Sequence, residues 1–255
     1  MKQILTLALV AVMLLSSGAF AFPNLFDVWV NDGGGPTWLG QISAYTGSES
    51  HAANYGYSSA SGHPVNGPTP LEYQSQAWLY HNTSNDTYSF NIIHNKDGGG
   101  GNYWSAITMN LFFGGMNYGV ILQDDDPENQ GQGGFQDQGG GLLWADFAYK
   151  DNSDGGVIGI DPFDCCDWWI GIEPLAFGDI QEFGFASGDG NYVSAWESLY
   201  DLPTGLGPND IYRGADESYP YFKITPHCEV PEPGTLMLLG MGLLTAGGVL
   251  RRRNK

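Results

Sequence analysis

Carboxylates are the commonest reactive groups in this chain, with 28 Asp and Glu against 9 Lys and Arg, 5 His and 3 Cys. The run Asp124-Asp125-Asp126-Pro127-Glu128 concentrates acidic side chains on one loop. Hard cations such as calcium take about six to eight oxygen ligands, and carboxylates on a flexible loop supply them. Calcium is therefore the one cofactor the composition suggests, with Asp124, Asp125, Asp126 and Glu128 as ligands. Asp151, Ser153 and Asp154, followed by Gly155, form a second oxygen-rich turn. Neither stretch has the spacing of the helix–loop–helix calcium motif, and a solvated acidic loop is the competing reading for both. Hydrolytic chemistry has less support. No Gly-x-Ser-x-Gly elbow is present. A glycosidase needs two facing carboxylates, and no motif selects a pair from 28. His51, His63, His81, His94 and His227 are far apart; only His81 and His94 share one expected hairpin, as potential cross-strand neighbours. Aromatic chemistry is the other option. Trp78, Trp104, Trp144, Trp168, Trp169 and Trp196 could stack on sugar rings if exposed, although such residues more often fill a core. Adjacent Trp168 and Trp169 point to opposite faces in a strand, so one should be buried and the other exposed as a glycan platform.

The two ends of the chain carry signals of a different kind. Met1 to Ala21 reads as a secretory signal peptide, with Lys2 as its positive start, Ile4 to Leu15 as its apolar stretch and Ala19-Phe20-Ala21 as its cleavage site. At the other end, Val230-Pro231-Glu232-Pro233-Gly234 precedes an apolar run from Thr235 to Leu250 and the basic tail Arg251-Arg252-Arg253-Asn254-Lys255. The prolines lack N–H groups and stop incoming secondary structure, so the peptide around Glu232 stays extended and accessible. As a helix the apolar run would span ~24 Å against ~30 Å of bilayer hydrocarbon, a short transmembrane segment. The tail, with Arg251, Arg252 and Arg253, should stop translocation and remain cytoplasmic.

On these residues the C-terminus resembles the PEP-CTERM sorting signal of Gram-negative bacteria that make exopolysaccharide. The resemblance covers residues 230–255, about a tenth of the chain. It implies that Val230, Pro231, Glu232 and Pro233 are recognised by an exosortase, a membrane transpeptidase-like enzyme, and that span and tail are then removed. It makes this chain the substrate of that enzyme.

Removing the signal peptide and everything after Gly234 sharpens the charge argument. Lys96, Lys150, Arg213 and Lys223 are the only cations left, four against 28 carboxylates, a net charge of −24. Nucleic acid is excluded as a partner, since binding it needs cationic surface to displace phosphate counterions. Export through an oxidising compartment also sets the cysteine chemistry. Neighbouring Cys165 and Cys166 are poorly placed to pair with each other, so a bridge from Cys228 to Cys165 or Cys166 is expected. Closing that loop of about 60 residues is worth ~4 kcal/mol. Asp164 and Asp167 flank the pair and disfavour a reactive thiolate. With no Cys-x-x-Cys, a zinc site is unsupported too.

Residues 22–229 must position whatever acts outside the cell, and their pattern has period two. Leu25–Val30, Gln76–His81, Thr87–His94, Tyr103–Phe113, Tyr118–Leu122, Leu142–Tyr149, Val157–Ile160, Trp168–Ile172, Ile180–Ala186, Asn191–Trp196 and Tyr219–Ile224 read as short strands. Asn82 to Asp86 is a hairpin turn, and Lys150 to Gly156 is the candidate turn of a second hairpin. Thr46–Pro70 and Gln123–Gly141 read as loops, and Ala195–Asp201 as the only helical hint. The expected fold is all-β, a single sandwich or jelly-roll-like domain. The expected role is structural or adhesive, without catalysis, at the cell surface or in the exopolysaccharide matrix after a transient stay in the inner membrane. A carbohydrate-binding module is the alternative, marked by a row of exposed aromatics on one sheet face; a secreted hydrolase ranks third. The expected partners are exosortase, the secretion machinery and exopolysaccharide.

Overall fold

A computed structural model describes residues 24–31, 35–57, 62–96, 105–123, 134–149, 152–162, 166–176, 180–196 and 221–228. Alternation of apolar and polar side chains organises these into strands, because successive side chains leave a strand on opposite faces. In order they are β1 (Leu25–Asn31), β2 (Pro36–Ser43), β3 (Tyr45–Gly47), β4 (Gln74–Asn82), β5 (Thr87–His94), β6 (Ser105–Gly114), β7 (Met116–Gln123), β8 (Gly134–Gly139), β9 (Leu142–Tyr149), β10 (Asp154–Pro162), β11 (Trp169–Ala176), β12 (Glu182–Ala186), β13 (Tyr192–Trp196) and β14 (Tyr221–Pro226). One short helix, α1 (His51–Tyr55), lies between β3 and β4.

Two sheets pack face to face as a sandwich. The first runs β2-β1-β14-β11-β6-β9-β8 and the second β13-β12-β4-β5-β10-β7, with β3 beside β4. Pairing is antiparallel except where β12 and β3 share one edge of β4 in parallel. Phe26, Val28, Ile107, Leu111, Phe147, Ile170, Phe222 and Ile224 from the first sheet meet Leu79, Phe90, Ile158, Phe183 and Phe185 from the second. Ring pairs such as Phe183–Phe222, with centroids 5.5 Å apart, tie the layers together.

Both open sides of the sandwich are laced by hydrogen bonds. On one side the Ser43 N–H donates to Ser187 Oγ at 2.8 Å and the Gly188 N–H to the Ser43 carbonyl at 2.9 Å. On the other, the Phe135 N–H donates to Gln123 Oε1 at 3.1 Å and the Tyr118 hydroxyl to Asp137 at 3.0 Å. The chain crosses between sheets at Gly114-Gly115. Gly115 has φ +70°, and a Cβ there would collide with the Asp167 carbonyl, so only glycine allows so short a crossing.

The two sheets treat their outer faces differently. Residues 48–57 and 62–70 lie over the second sheet. Ser50 caps α1 by accepting the Ala53 N–H at 3.3 Å, and Tyr55 at its end stacks on Trp78, centroids 6.1 Å apart and planes 1° from parallel. Tyr80, Ile93 and Val157 complete this satellite core. The Tyr80 hydroxyl donates to the Glu49 carbonyl at 3.0 Å, and the Asn54 amide to the Asn66 carbonyl at 2.9 Å, pinning the roof.

Most strands expected from the sequence form, with instructive departures. The first hairpin is present and slightly longer, paired from Asn82↔Thr87 to Ser75↔His94. Its turn is fixed by Asn82 Oδ1, which accepts the Ser84 N–H at 2.9 Å. The second hairpin does not form: β9 pairs with β6 and β8, β10 with β5 and β7. Each strand buries apolar side chains and gains two neighbours by joining a different sheet. The stretch expected as loop Gln123–Gly141 contains edge strand β8, and Thr46–Pro70 contains α1. Ala195 and Trp196 belong to β13, not to a helix, and residues 197–201 lie outside the described part. Strand β2 was not expected at all.

Candidate functional site

The outer face of the first sheet is open among the described residues, and its register lines up unusual side chains. Trp38 on β2 lies opposite Trp29 on β1, and Trp29 opposite Lys223 on β14. The next outward row is Gln41, Asp27 and Thr225 on the same three strands. Trp38 is 53 % exposed, more than any other tryptophan whose side chain is described, and Trp29 is half-buried.

Both indoles are tied to the second row. Trp38 Nε1 donates to Asp27 Oδ1 at 3.1 Å, and Trp29 Nε1 donates to Thr225 Oγ1 at 3.3 Å. These bonds draw both rings in the same direction along the sheet, side by side on adjacent strands. Asp27 is the hub of the arrangement. Its Oδ1 also accepts from Gln41 Nε2 at 3.0 Å, and its Oδ2 lies 2.9 Å from His227 Nδ1. His227 Nδ1 also lies 3.0 Å from Gln41 Nε2, so Asp27, Gln41 and His227 form one polar cluster. Partial burial would raise the Asp27 pKa, but the bonds from His227, Gln41 and Trp38, with the His227 charge, outweigh it and hold the carboxyl below its ordinary value.

The face continues past β14. Trp169 on β11 lies opposite Gly114 on β6. Its indole occupies the space a Cβ on Gly114 would need, so glycine leaves room for the ring to lie flat against the sheet. Lys223 Nζ sits 4.9 Å from the Trp169 ring centroid, a cation–π contact. Beside this cation an open depression of about 500 Å³ is lined by Trp29, Val30, Asn31, Pro36, Lys223 and Thr225. One aromatic wall, Trp29, with a few hydrogen-bonding groups suits a ligand with apolar faces and polar edges.

The structure distributes the residues singled out in the sequence widely. Trp168 is 3 % exposed and packs on Phe26 at 5.6 Å between centroids, whereas Trp169 is half-buried on the outer face under Lys223. Trp144 is half-buried on that same face, opposite Asn110, and Trp78 is buried beneath Tyr55. Cys166 is bonded to Cys228, joining the approach to β11 to the end of β14. Ser153 and Asp154 are buried. Ser153 Oγ accepts the Gly62 N–H at 2.9 Å, and Asp154 Oδ1 accepts the Gly155 N–H at 2.8 Å, so both serve the fold. Asp124, Asp125, Asp126, Glu128, Asp151, Cys165 and Trp104 lie outside the described residues, as do the signal-peptide and sorting segments.

The histidines do not converge. His94 is fully buried in the core, its Nδ1 2.7 Å from Ser75 Oγ, and burial pushes its pKa down to about 3. His81 pairs with Tyr88 at the other end of the hairpin and contacts Asp86 at 2.8 Å. The two are therefore not cross-strand neighbours.

Trp29, Trp38 and Asp27 were not among the candidates read from the sequence. Asn31 to Gly35 looked like the end of an element, yet β1 and β2 on either side of it pair antiparallel, Asn31 opposite Pro36. Reading Thr37 to Ile42 as the return strand would have set Trp38 beside Trp29.

No curated protein and no solved structure matches the chain. The family comparison concerns the C-terminus alone, where residues 229–253 match the PEP-CTERM protein-sorting motif directly after Cys228. The chain therefore carries an exosortase sorting signal and is an exported, exosortase-processed cell-surface protein of a Gram-negative bacterium.

Proposed function

We propose that the exported part of this chain is a non-catalytic structural or adhesive protein of the cell surface and its polysaccharide matrix. The observation that carries this reading is the open aromatic face of the first sheet, on a chain sorted to the surface. Trp38 and Trp29 are held there by Asp27 and Thr225. Such a face binds without reacting. The rings supply apolar area, the amide and carboxylate supply hydrogen bonds, and a carboxyl held below its ordinary pKa is a poor proton donor near neutral pH. The exported charge of −24 keeps the domain soluble outside the cell and turns it away from nucleic acid.

In this reading the secretion machinery delivers the precursor. Residues 235–250 park it in the inner membrane, exosortase cuts near Pro231–Pro233, and the mature domain is retained in exopolysaccharide. A carbohydrate-binding module is the second reading, favoured by the exposure of Trp38.

The test is genetic. A strain lacking the chain is complemented with wild-type protein or with a Trp29→Ala/Trp38→Ala double variant, and matrix cohesion and protein retention are measured. Loss of both in the deletion strain, restored only by wild type, supports the reading. Full cohesion in the deletion strain, with wild-type protein shed freely, overturns it.

A further inference from the structure

We infer that Trp38 and Trp29 form a two-ring platform for a neutral pyranose polysaccharide, with Asp27 accepting hydrogen bonds from its hydroxyls. The inference rests on the adhesive reading and names the partner of that same face.

Register and bonding carry the geometry. The two indoles occupy directly opposed positions on neighbouring strands, and such strands lie ~4.8 Å apart. Both Nε1 atoms are tied toward the Gln41–Asp27–Thr225 row, so the two indoles lie on the same face and are drawn the same way along it. A pyranose ring has the complementary form: a face of weakly positive C–H groups that packs against the negative face of an aromatic ring, and a hydroxyl rim that seeks acceptors. Asp27 lies at the edge of the platform, its orientation fixed by three side chains before any ligand arrives. A preset acceptor costs little ordering on binding.

Position and charge choose the ligand. Trp38 stands on β2, the edge strand of the first sheet, so among the described residues a long polymer leaving the platform there meets no further strand of that sheet. The depression beside Trp29 has room for a sugar unit next along such a polymer. A polyuronate would meet an exported chain of charge −24 and the Asp27 carboxylate, both repulsive. Lys223, the one lysine or arginine on this face among the described residues, sits over Trp169 instead of standing clear. A neutral chain avoids the repulsion.

The processed protein, purified from the surface of its host, is run in native gels containing hydroxyethylcellulose as a neutral probe, alginate as a polyuronate, or the host's own exopolysaccharide. Retardation by hydroxyethylcellulose, weakened about tenfold or more in Trp38→Ala and Trp29→Ala and largely kept in Trp38→Phe, supports the inference. Asp27→Asn should weaken retardation by hydroxyethylcellulose, by less than Trp38→Ala does; unchanged retardation would remove Asp27 from the inference. Thermal melts of each variant separate lost binding from lost folding. Retardation by alginate in preference to hydroxyethylcellulose overturns the neutral class. Binding to the host polysaccharide that Trp38→Ala and Trp29→Ala leave intact overturns the platform while the adhesive reading stands. Wild-type protein that neither binds the host polysaccharide nor is retained in the matrix overturns both.

Discussion

The second sheet hides its outward tryptophan and the first sheet displays its own. Trp78 has no exposed surface, because Tyr55 stacks on its ring and Gly67 packs against it. Trp38, also outward-facing on a strand, is 53 % exposed and spends its N–H on a carboxylate of the same face. Residue type does not separate these two side chains; what folds over them does. The covered face works as a second core, with the area of a large aromatic removed from water. The open face leaves apolar area in solvent and surrounds it with oriented polar partners, an arrangement that contributes little to folding and is suited to recognition. The frames differ as well: packing holds the roof, whereas the Cys166–Cys228 bridge closes the chain around β11 and β14 beneath the open face.

Substitutions should break this contrast in a graded way. Trp78→Ala removes a buried, stacked ring and should cost as much as about 5 kcal/mol in denaturant unfolding. Replacing Cys166 and Cys228 by serine releases a loop with a sequence separation of 62 and should cost about 4 kcal/mol. Reductant should lower the melting temperature of the wild type and leave that of the variant unchanged.

A third test concerns the core between the faces. An unfolded histidine takes up a proton near pH 6.5, but buried His94 resists protonation until about pH 3. Acid therefore favours the unfolded chain, and stability should fall by up to about 1.4 kcal/mol per pH unit from about pH 6 to about pH 3. His94→Gln should flatten that slope in urea titrations at stepped pH. The smallest effect belongs to the open face, where Trp38→Ala should change stability by less than about 1 kcal/mol. A loss as large as that of Trp78→Ala would erase the distinction between the faces.

The strand pattern was legible where alternation is clean. Thr87–His94 is the same strand in sequence and structure, and its partner gains only Gln74, Ser75 and Asn82 beyond the expected run. It was less legible where glycine and polar residues mask alternation, as in β2 with Gly40 at a register shift, and in β8, Gly134–Gly139. Neighbouring strands in sequence also suggest a hairpin by default, and only the burial needs of β9 and β10 separate them into different sheets. The candidate site suffered most. Trp168 and Trp169 were recognisable as one inward and one outward ring, but period two cannot say that Lys223 covers the outward one. Pairing Trp38 with Trp29 required knowing that β2 pairs antiparallel with β1. The sorting signal was read most completely, because its meaning lies in order and composition rather than in packing.

The central claim, that the open face is the recognition surface and the covered face is structural, is tested most directly by following indole N–H signals. The processed protein, labelled with nitrogen-15 at tryptophan and assigned by single substitutions, is titrated with fragments of its host's exopolysaccharide. The account predicts that the Trp38 and Trp29 signals move together and saturate while those of Trp78 and Trp168 stay fixed. Movement of Trp78 with Trp38 unmoved would contradict it.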